Sequence, residues 1–499
     1  MPSRSVPLPR ATRESRLAAA LLVPWLLLPL HGGDEAPGGA LQRALAVPDE
    51  AGLRADVRFL SDDVLHGRDT PSDGLRVAAR FLRARLERLG WLPAGDEGFL
   101  ATYVWRHASL DLEHTHAAFV RPGRAPDVLV FGEDYYFPSS GLADQRLEAP
   151  LVAVGRGSAE GLAGVELEGR VALAVGVHEQ DWAALQEEVR LRGAAGLLVA
   201  PFTEERGVTE RLAARARGQA EEGQLQTAPD PLPTAFLTAR GLERLGLPEG
   251  TRAGDALSAR FRDVRALGTG AGEPLVLENV VGLLPGSDPA LSREVLLVTA
   301  HYDHLGARGD LVYHGAYDNA SGTSALLALA EALVEHGPLR RSVCLLWLAG
   351  EEHGMQGSWA WASRPTLPAG LEVTCDLNLD MVGRNAPGEL HVTPSRAHPR
   401  YNHVVEVLER CAPAEGFPRL LAGDDQWDRS DHRPFALVLG IPVASLSTGE
   451  HEDYHRTSDT WDKIDYDKLR RVTRLVLRAL VELDAEPVVA GPVEASASR

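Results

Sequence analysis

Cysteine is nearly absent: Cys344, Cys375 and Cys411 are the only three in 499 residues. A chain this long with so few thiols is held by its core, not by a disulfide framework. At most one bridge can form, and three buried apolar thiols is the plainer expectation. No run of lysine or arginine interrupts a formal net charge of −19. A surface of that sign repels phosphate backbones, which excludes nucleic acid as a natural partner. No apolar stretch reaches the roughly 20 residues that a membrane-spanning helix needs. The nearest, Leu17 to Leu30, carries Pro24 and Pro29, follows Arg4, Arg10, Arg13 and Arg16, and precedes the small residues Ala36 to Ala40. That order is the order of a secretory signal peptide. Residues 1–40 are therefore expected to be signal peptide and linker, and the protein to be exported to the periplasm or beyond, with no stable membrane insertion. An uncleaved anchor is the other reading of the same run. No Gly-x-Ser-x-Gly elbow occurs, since Gly322-Thr-Ser-Ala-Leu lacks the closing glycine, and this argues against serine hydrolysis.

The length is too great for one ordinary domain and enough for two or three with sizeable cores. Residues 41–129 read as the N-terminal part of the main domain, helical to about Gly98 and then in short strands. The helix is clearest from Asp73 to Gly90, where Leu75, Val77, Ala78, Phe81, Leu82 and Leu86 recur at helical spacing and Gly90 is placed to end it. Between 130 and 270 the texture changes. Pro150-Leu-Val-Ala-Val-Gly, Gly169-Arg-Val-Ala-Leu-Ala-Val-Gly and Ala194-Ala-Gly-Leu-Leu-Val-Ala read as short buried strands around a helix from Trp182 to Arg192. This region is expected to be an inserted, smaller, β-rich α+β domain, with Arg217 to Thr227 as a loop. From 271 to 486, strand-length apolar runs at Glu294–Ala300, Ser342–Ala349, Thr374–Val382 and Ile441–Leu446 alternate with helical stretches. Such alternation implies an α/β domain whose mostly parallel or mixed sheet is covered by helices on both faces. Residues 487–499 read as a loose tail.

The residues with chemistry fall at the ends of those strands, where open α/β sheets bind ligands. The first runs into His301-Tyr302-Asp303-His304, the second into Gly350-Glu351-Glu352, the third into Asp380 and the fourth into Ser447-Thr-Gly-Glu-His-Glu-Asp-Tyr-His455. Asp318 lies just before the helix that begins near Thr323. Singly, each is more often a cap or a loop residue than a ligand. Two adjacent carboxylates after a buried strand are harder to explain structurally, because they repel unless cations or donors compensate. Imidazole and carboxylate suit zinc, and a catalytic zinc site needs no cysteine. Two ions need a bridging carboxylate and a terminal set for each. Asp318 can bridge, with His301 and Asp380 on one ion and Glu352 and His455 on the other. Asp303 can accept the second N–H of His301 and fix its tautomer.

His301-Tyr-Asp-His, Gly315-Ala-Tyr-Asp-Asn-Ala-Ser-Gly, Gly350-Glu-Glu, Asn378-Leu-Asp-Met-Val-Gly, Ser430-Asp-His and Asp453-Tyr-His-Arg-Thr-Ser-Asp, taken together, resemble the M28 family of zinc peptidases over roughly Pro274 to Leu483. The resemblance implies the zinc exopeptidase fold and two Zn²⁺ ions held by His301, Asp318, Glu352, Asp380 and His455. It makes Glu351 the general base and Tyr454 a residue that stabilises the tetrahedral intermediate. It implies peptide or small protein substrates cut at chain ends, and it makes the insert similar to a protease-associated domain. Tyr317 departs from the pattern, standing where secreted bacterial members commonly have aspartate, and is expected to affect substrate fit or local polarity without loss of metal.

Rival readings remain at this level. A zinc acyltransferase resembling glutaminyl cyclase shares the fold, and a receptor-like homologue would be non-catalytic. An aminopeptidase needs free acids for the α-ammonium, whereas a carboxypeptidase or dipeptidase needs an arginine, for which Arg384, Arg429, Arg433 and Arg456 are available. Finally, His451-Glu452-Asp-Tyr-His455 matches the one-zinc signature His-Glu-x-x-His, which works only on a helix. Its flanks favour turns, so only His455 of the two histidines is expected to bind metal.

Overall fold

The computed structural model describes residues 39–488 apart from 106, 109, 138–144, 178–181, 202–211, 215, 218–224, 227–231, 249 and 267–274. Residues 1–38 of the expected signal peptide and linker, residues 489–499 of the expected tail and most of the loop from Arg217 to Thr227 lie outside the described residues.

Four parallel strands form the centre of the main sheet, in the order Ser342–Leu348, Glu294–His301, Glu372–Leu379 and Val443–Ser447. Antiparallel neighbours extend both edges: Leu275–Leu284 beside Ser342–Leu348, with Leu100–Trp105 beyond it, and His391–Thr393 beside Val443–Ser447. The sheet is thus mixed. Its central strands are buried along almost their whole length, as strands covered on both faces must be.

Successive side chains of a strand point to opposite faces, and the two faces here have different cores. Leu296, Val298 and Ala300 pack with helices Glu50–Leu60, Asp73–Leu89, Ser321–His336, His403–Cys411 and Tyr466–Ala485. Val295 and Leu297 pack on the other side with Trp361, Ala362, Phe435 and Ala436. The Asp73–Leu89 helix begins at Ser72, whose hydroxyl accepts the Leu75 N–H, and ends at Gly90 in the left-handed region at φ 78°. A left-handed cap of that kind is easiest for glycine. The three cysteines are buried and free, with Cys344 and Cys375 on opposite faces of the sheet.

A second sheet has its own core, built on Phe119, Leu151, Leu173, Leu198 and Phe261. Its strand order is Asp127–Leu129, His116–Val120, Ala256–Arg265, Gln145–Ala153, Val171–Val177, Gly196–Pro201, Thr234–Leu237 and Tyr135–Tyr136. It draws in residues 116–129, which sequence placed with the main domain, so the boundary at 130 lies too late. His116–Val120 pairs with Ala256–Arg265 and in turn carries Asp127–Leu129, and local sequence carries no record of so distant a partner as Ala256–Arg265. The Asp111 N–H donates to the Ala266 carbonyl at 2.9 Å, closing the module at its neck.

Candidate metal centre

His301 is the last residue of its strand, and Asp380 directly follows another. Glu351 and Glu352 follow Gly350, whose φ of 76° turns the chain out of the Ser342–Leu348 strand. Asp318 sits in a distorted turn, Ala316–Ala320, at the head of the Ser321–His336 helix. The carboxylate of Asp459 accepts the N–H groups of Tyr317 and Asp318 at 3.0 and 3.1 Å and fixes that turn. His455 lies in the turns after Val443–Ser447, at φ 56°. These groups meet at the carboxyl edge of the parallel strands.

The distances separate ligands from supports. Four atoms around a zinc at about 2.0–2.2 Å stand about 3.3–3.6 Å apart in a tetrahedron. His301 Nε2 is 3.3 Å from Asp318 Oδ1 and 3.2 Å from Asp380 Oδ1. His455 Nε2 is 3.1 Å from Asp318 Oδ2 and 3.3 Å from Glu352 Oε2. All four separations are close to edges of such tetrahedra, and the two oxygens of Asp318 face different imidazoles. The residues expected from the sequence as ligands are therefore brought together in two sets that share one carboxylate.

The remaining oxygens are held by donors that stand in the quoted motifs but to which residue type and spacing assigned no role. Ser430 Oγ donates to Asp380 Oδ2 at 2.6 Å and accepts from Asn378 Nδ2 at 2.8 Å. His304 Nδ1 lies 2.7 Å from Glu352 Oε1; the carboxylate only accepts, so the imidazole donates. Geometric grouping alone would admit His304 as a ligand with Asp318 and Glu352. The 2.7 Å contact is too short for two ligands of one ion, however, and Asp318 Oδ2 is 3.8 Å away, so the geometry suits His304 to a hydrogen bond with Glu352 and His455 to the ion. His304 fits only because residue 315 is glycine: a Cβ there would lie 2.5 Å from the ring. Residue type alone does not distinguish such a histidine from any other loop histidine.

Asp303 sits otherwise than expected. His301 Nδ1 donates to the Asp303 backbone carbonyl at 3.3 Å, whereas the Asp303 carboxylate is 3.6 Å off. The tautomer is still set, leaving Nε2 for the ion. The carboxylate accepts instead from the Glu351 N–H at 3.2 Å and the Thr70 hydroxyl at 2.9 Å. Glu351 itself stops 4.0 Å from His301 Nε2, outside both sets.

The acids and imidazoles of the set shift one another strongly. Burial pushes the Glu351 carboxyl well above its usual value, and Asp380 and Glu352 add to this against the pull of His301. Asp318 lies well below its usual value in spite of burial, because His301 and His455 donate to it. His455 is raised to about 10 against its own burial by hydrogen bonds to Asp318 and Glu352. Two imidazoles and three carboxylates gathered within reach of one another are a donor set that fits zinc.

Tyr454 stacks on His455 with ring centroids 3.8 Å apart, and its hydroxyl accepts from Arg429 Nη2 at 3.3 Å. Tyr317 is wholly buried, so it does not line a substrate surface. Its hydroxyl donates to the Gly449 carbonyl at 2.6 Å and meets Thr448 Oγ1 at 2.9 Å, fastening the loop that leads to His455. The His451–His455 segment is a run of turns, not a helix. His451 packs its ring on Tyr317 at 4.6 Å and stands in neither metal-binding set. Of the four arginines, Arg384, Arg429 and Arg433 pair with Asp453, Glu450 and Asp428 at 3.0, 2.8 and 2.8 Å.

Residues 279–480 match the model of Peptidase family M28. Aminopeptidase YwaD of Bacillus subtilis (strain 168) is 29% identical over 195 residues, 38% of this chain and 41% of that protein. The probable leucine aminopeptidase 1 of Trichophyton verrucosum (strain HKI 0517) is 25% identical over 230 residues, 41% of this chain and 57% of that protein. The chain thus spans about half the length of these curated relatives. Among solved structures, the aminopeptidase from Aneurinibacillus sp. strain AM-1 shares the fold, with a TM-score of 0.52 at 19% identity over 91% of this chain and 98% of that one. The matched segment is the one that carries the ordered motifs brought to one sheet edge, and over that segment the chain is similar to Peptidase family M28.

Proposed function

We propose that the protein is an exported, two-zinc aminopeptidase. The observation that carries this is Asp318, whose two oxygens face His301 and His455 at 3.3 and 3.1 Å, the disposition a bridging carboxylate needs. Asp380 would join His301 in holding one ion and Glu352 would join His455 in holding the other. Zinc held there would supply a water of pKa near 7 and polarise the scissile carbonyl. Glu351 accepts the proton of the attacking water and returns it to the leaving amine. The Tyr454 hydroxyl, positioned by Arg429, donates to the developing oxyanion. Amino-terminal cleavage is favoured over carboxy-terminal because Arg384, Arg429 and Arg433 are already committed to carboxylates; the relatives named above are aminopeptidases. The second module supplies none of these side chains and is assigned the part of a protease-associated-like roof over the cleft.

The test is metal analysis of the purified protein, followed by a panel of free, N-terminally blocked and C-terminally blocked peptides before and after chelation. Two zinc ions per chain are expected, with cleavage of free and C-terminally blocked peptides only, lost on chelation and restored by Zn²⁺. Activity that survives verified removal of the metal overturns the proposal. Cleavage of N-terminally blocked peptides makes the protein a carboxypeptidase, and cyclisation of N-terminal glutamine without cleavage makes it an acyltransferase.

His304→Phe removes the donor to Glu352 Oε1 while keeping a planar ring in the space beside Gly315. Loss of such a support typically weakens metal binding about 10–100-fold. One of the two zincs is expected to exchange that much more readily in a competing-chelator titration. Unchanged affinity for both would show that Glu352 needs no such donor.

A further inference from the structure

We propose that the segment Gly67–Thr70, with Arg68 foremost, is a positioning element of the metal centre, although it lies more than two hundred residues before the first ligand. This rests on the two-zinc reading of the site.

Arg68 is fully buried, yet among the described residues its guanidinium pairs with no carboxylate. Among those residues its hydrogen bonds go to main-chain carbonyls. Nε donates to Tyr302 at 2.8 Å, Nη2 to Gly315 at 2.9 Å, and Nη1 to His314 at 2.9 Å and to Leu60. Tyr302 directly follows ligand His301, and Gly315 stands three residues before bridging Asp318. One planar fork therefore spans the two loops that bring the first ion's ligands together. A guanidinium presents its donors in a fixed plane, which a flexible ammonium does not.

The neighbouring residues press the same loops. The Arg68 carbonyl accepts the His304 N–H at 3.1 Å, and the Gly67 carbonyl accepts the Gly306 N–H at 3.0 Å. Gly67 approaches so closely that a Cβ would lie 2.3 Å from the Gly306 carbonyl oxygen. Thr70 Oγ1 donates to Asp303, which in turn holds the Glu351 N–H. His66 and Arg68 adopt φ of 46° and 49°, left-handed values costly for residues with side chains and kept only where surroundings dictate them. The buried charge also has its electrostatic partners in the site: burial lowers the Arg68 pKa to about 10, and Asp303, Asp318, Asp459 and Glu352 oppose that fall.

The experiment compares full-length wild type with Arg68→Lys, Arg68→Gln and Thr70→Val. It reads zinc affinity by competing-chelator titration, the visible absorption of the Co²⁺-loaded protein and the circular dichroism of the metal-free chain. Folded Arg68 variants are expected to bind zinc at least tenfold more weakly, with altered cobalt bands that report changed ligand geometry. Arg68→Lys should not rescue them, since it keeps the charge and loses the fork. Thr70→Val is expected to shift the cobalt spectrum with a three- to tenfold loss of affinity. Wild-type affinity and cobalt spectrum in folded Arg68 variants overturn the proposal. So do wild-type values in Thr70→Val if the Arg68 variants fail to fold. Wild type that binds no metal defeats the two-zinc reading instead, so the two failures are distinguishable.

Discussion

Glu351→Gln is expected to keep both zinc ions and to lower kcat by about 10²–10⁴-fold, the usual contribution of a positioned general base. The amide preserves the shape of the side chain and its N–H contact with Asp303, because that contact is made by the main chain. It cannot take a proton from water. Glu352→Gln should behave differently, because Glu352 Oε2 stands 3.3 Å from His455 Nε2 in the second set while Oε1 accepts from His304. There the expected loss is of metal as well as rate. Zinc content and kcat, measured side by side, decide the matter: a Glu351→Gln protein that loses zinc, or a Glu352→Gln protein that keeps two ions and only its rate falls, exchanges the two roles.

Asp318→Asn is expected to be the more damaging change. An amide offers one acceptor oxygen where the site uses two, and its NH₂ group would face one of the imidazoles. Zinc should fall from two ions per chain to one or none, and turnover by at least about 10³-fold, since the paired-metal clamp on attacking and leaving atoms is lost. The fold should survive, because Asp459 holds the main-chain N–H groups of Tyr317 and Asp318, not the side chain of Asp318. Metal analysis with circular dichroism on the same sample checks this. Two tightly held ions in Asp318→Asn would show that another group bridges them.

His301, Glu352, Asp380 and His455 could be singled out from the chain because each ends or follows a short, largely apolar strand, whereas Asp318 stands in the turn at the head of a helix. Glu351 and Glu352 announced themselves as a like-charged pair with no structural excuse. The supports were not legible in the same way. Ser430 and His304 act through one hydrogen bond each, and whether a loop hydroxyl or imidazole meets a particular carboxylate oxygen depends on backbone turns such as that of Gly315. Asp303 was placed correctly beside His301, but the carbonyl took the role expected of its carboxylate. Residues 116–129 were assigned to the main domain because the strand that captures them lies far along the chain. Arg68 gave no signal at all: its four partners are carbonyls, which every sequence contains.

The contact between Arg68 and the Tyr302 carbonyl closes a loop of 234 residues. Contacts so distant in sequence are paid for in chain entropy before they return any stability, and they form late. The whole second module, with its own core, folds within that loop. A nascent or truncated chain can therefore complete the module, and even much of the central sheet, while the ligand loops still lack their clamp. If Arg68 positions the metal centre as proposed, metal affinity would become a measure of completion, reporting whether segments 234 residues apart have met.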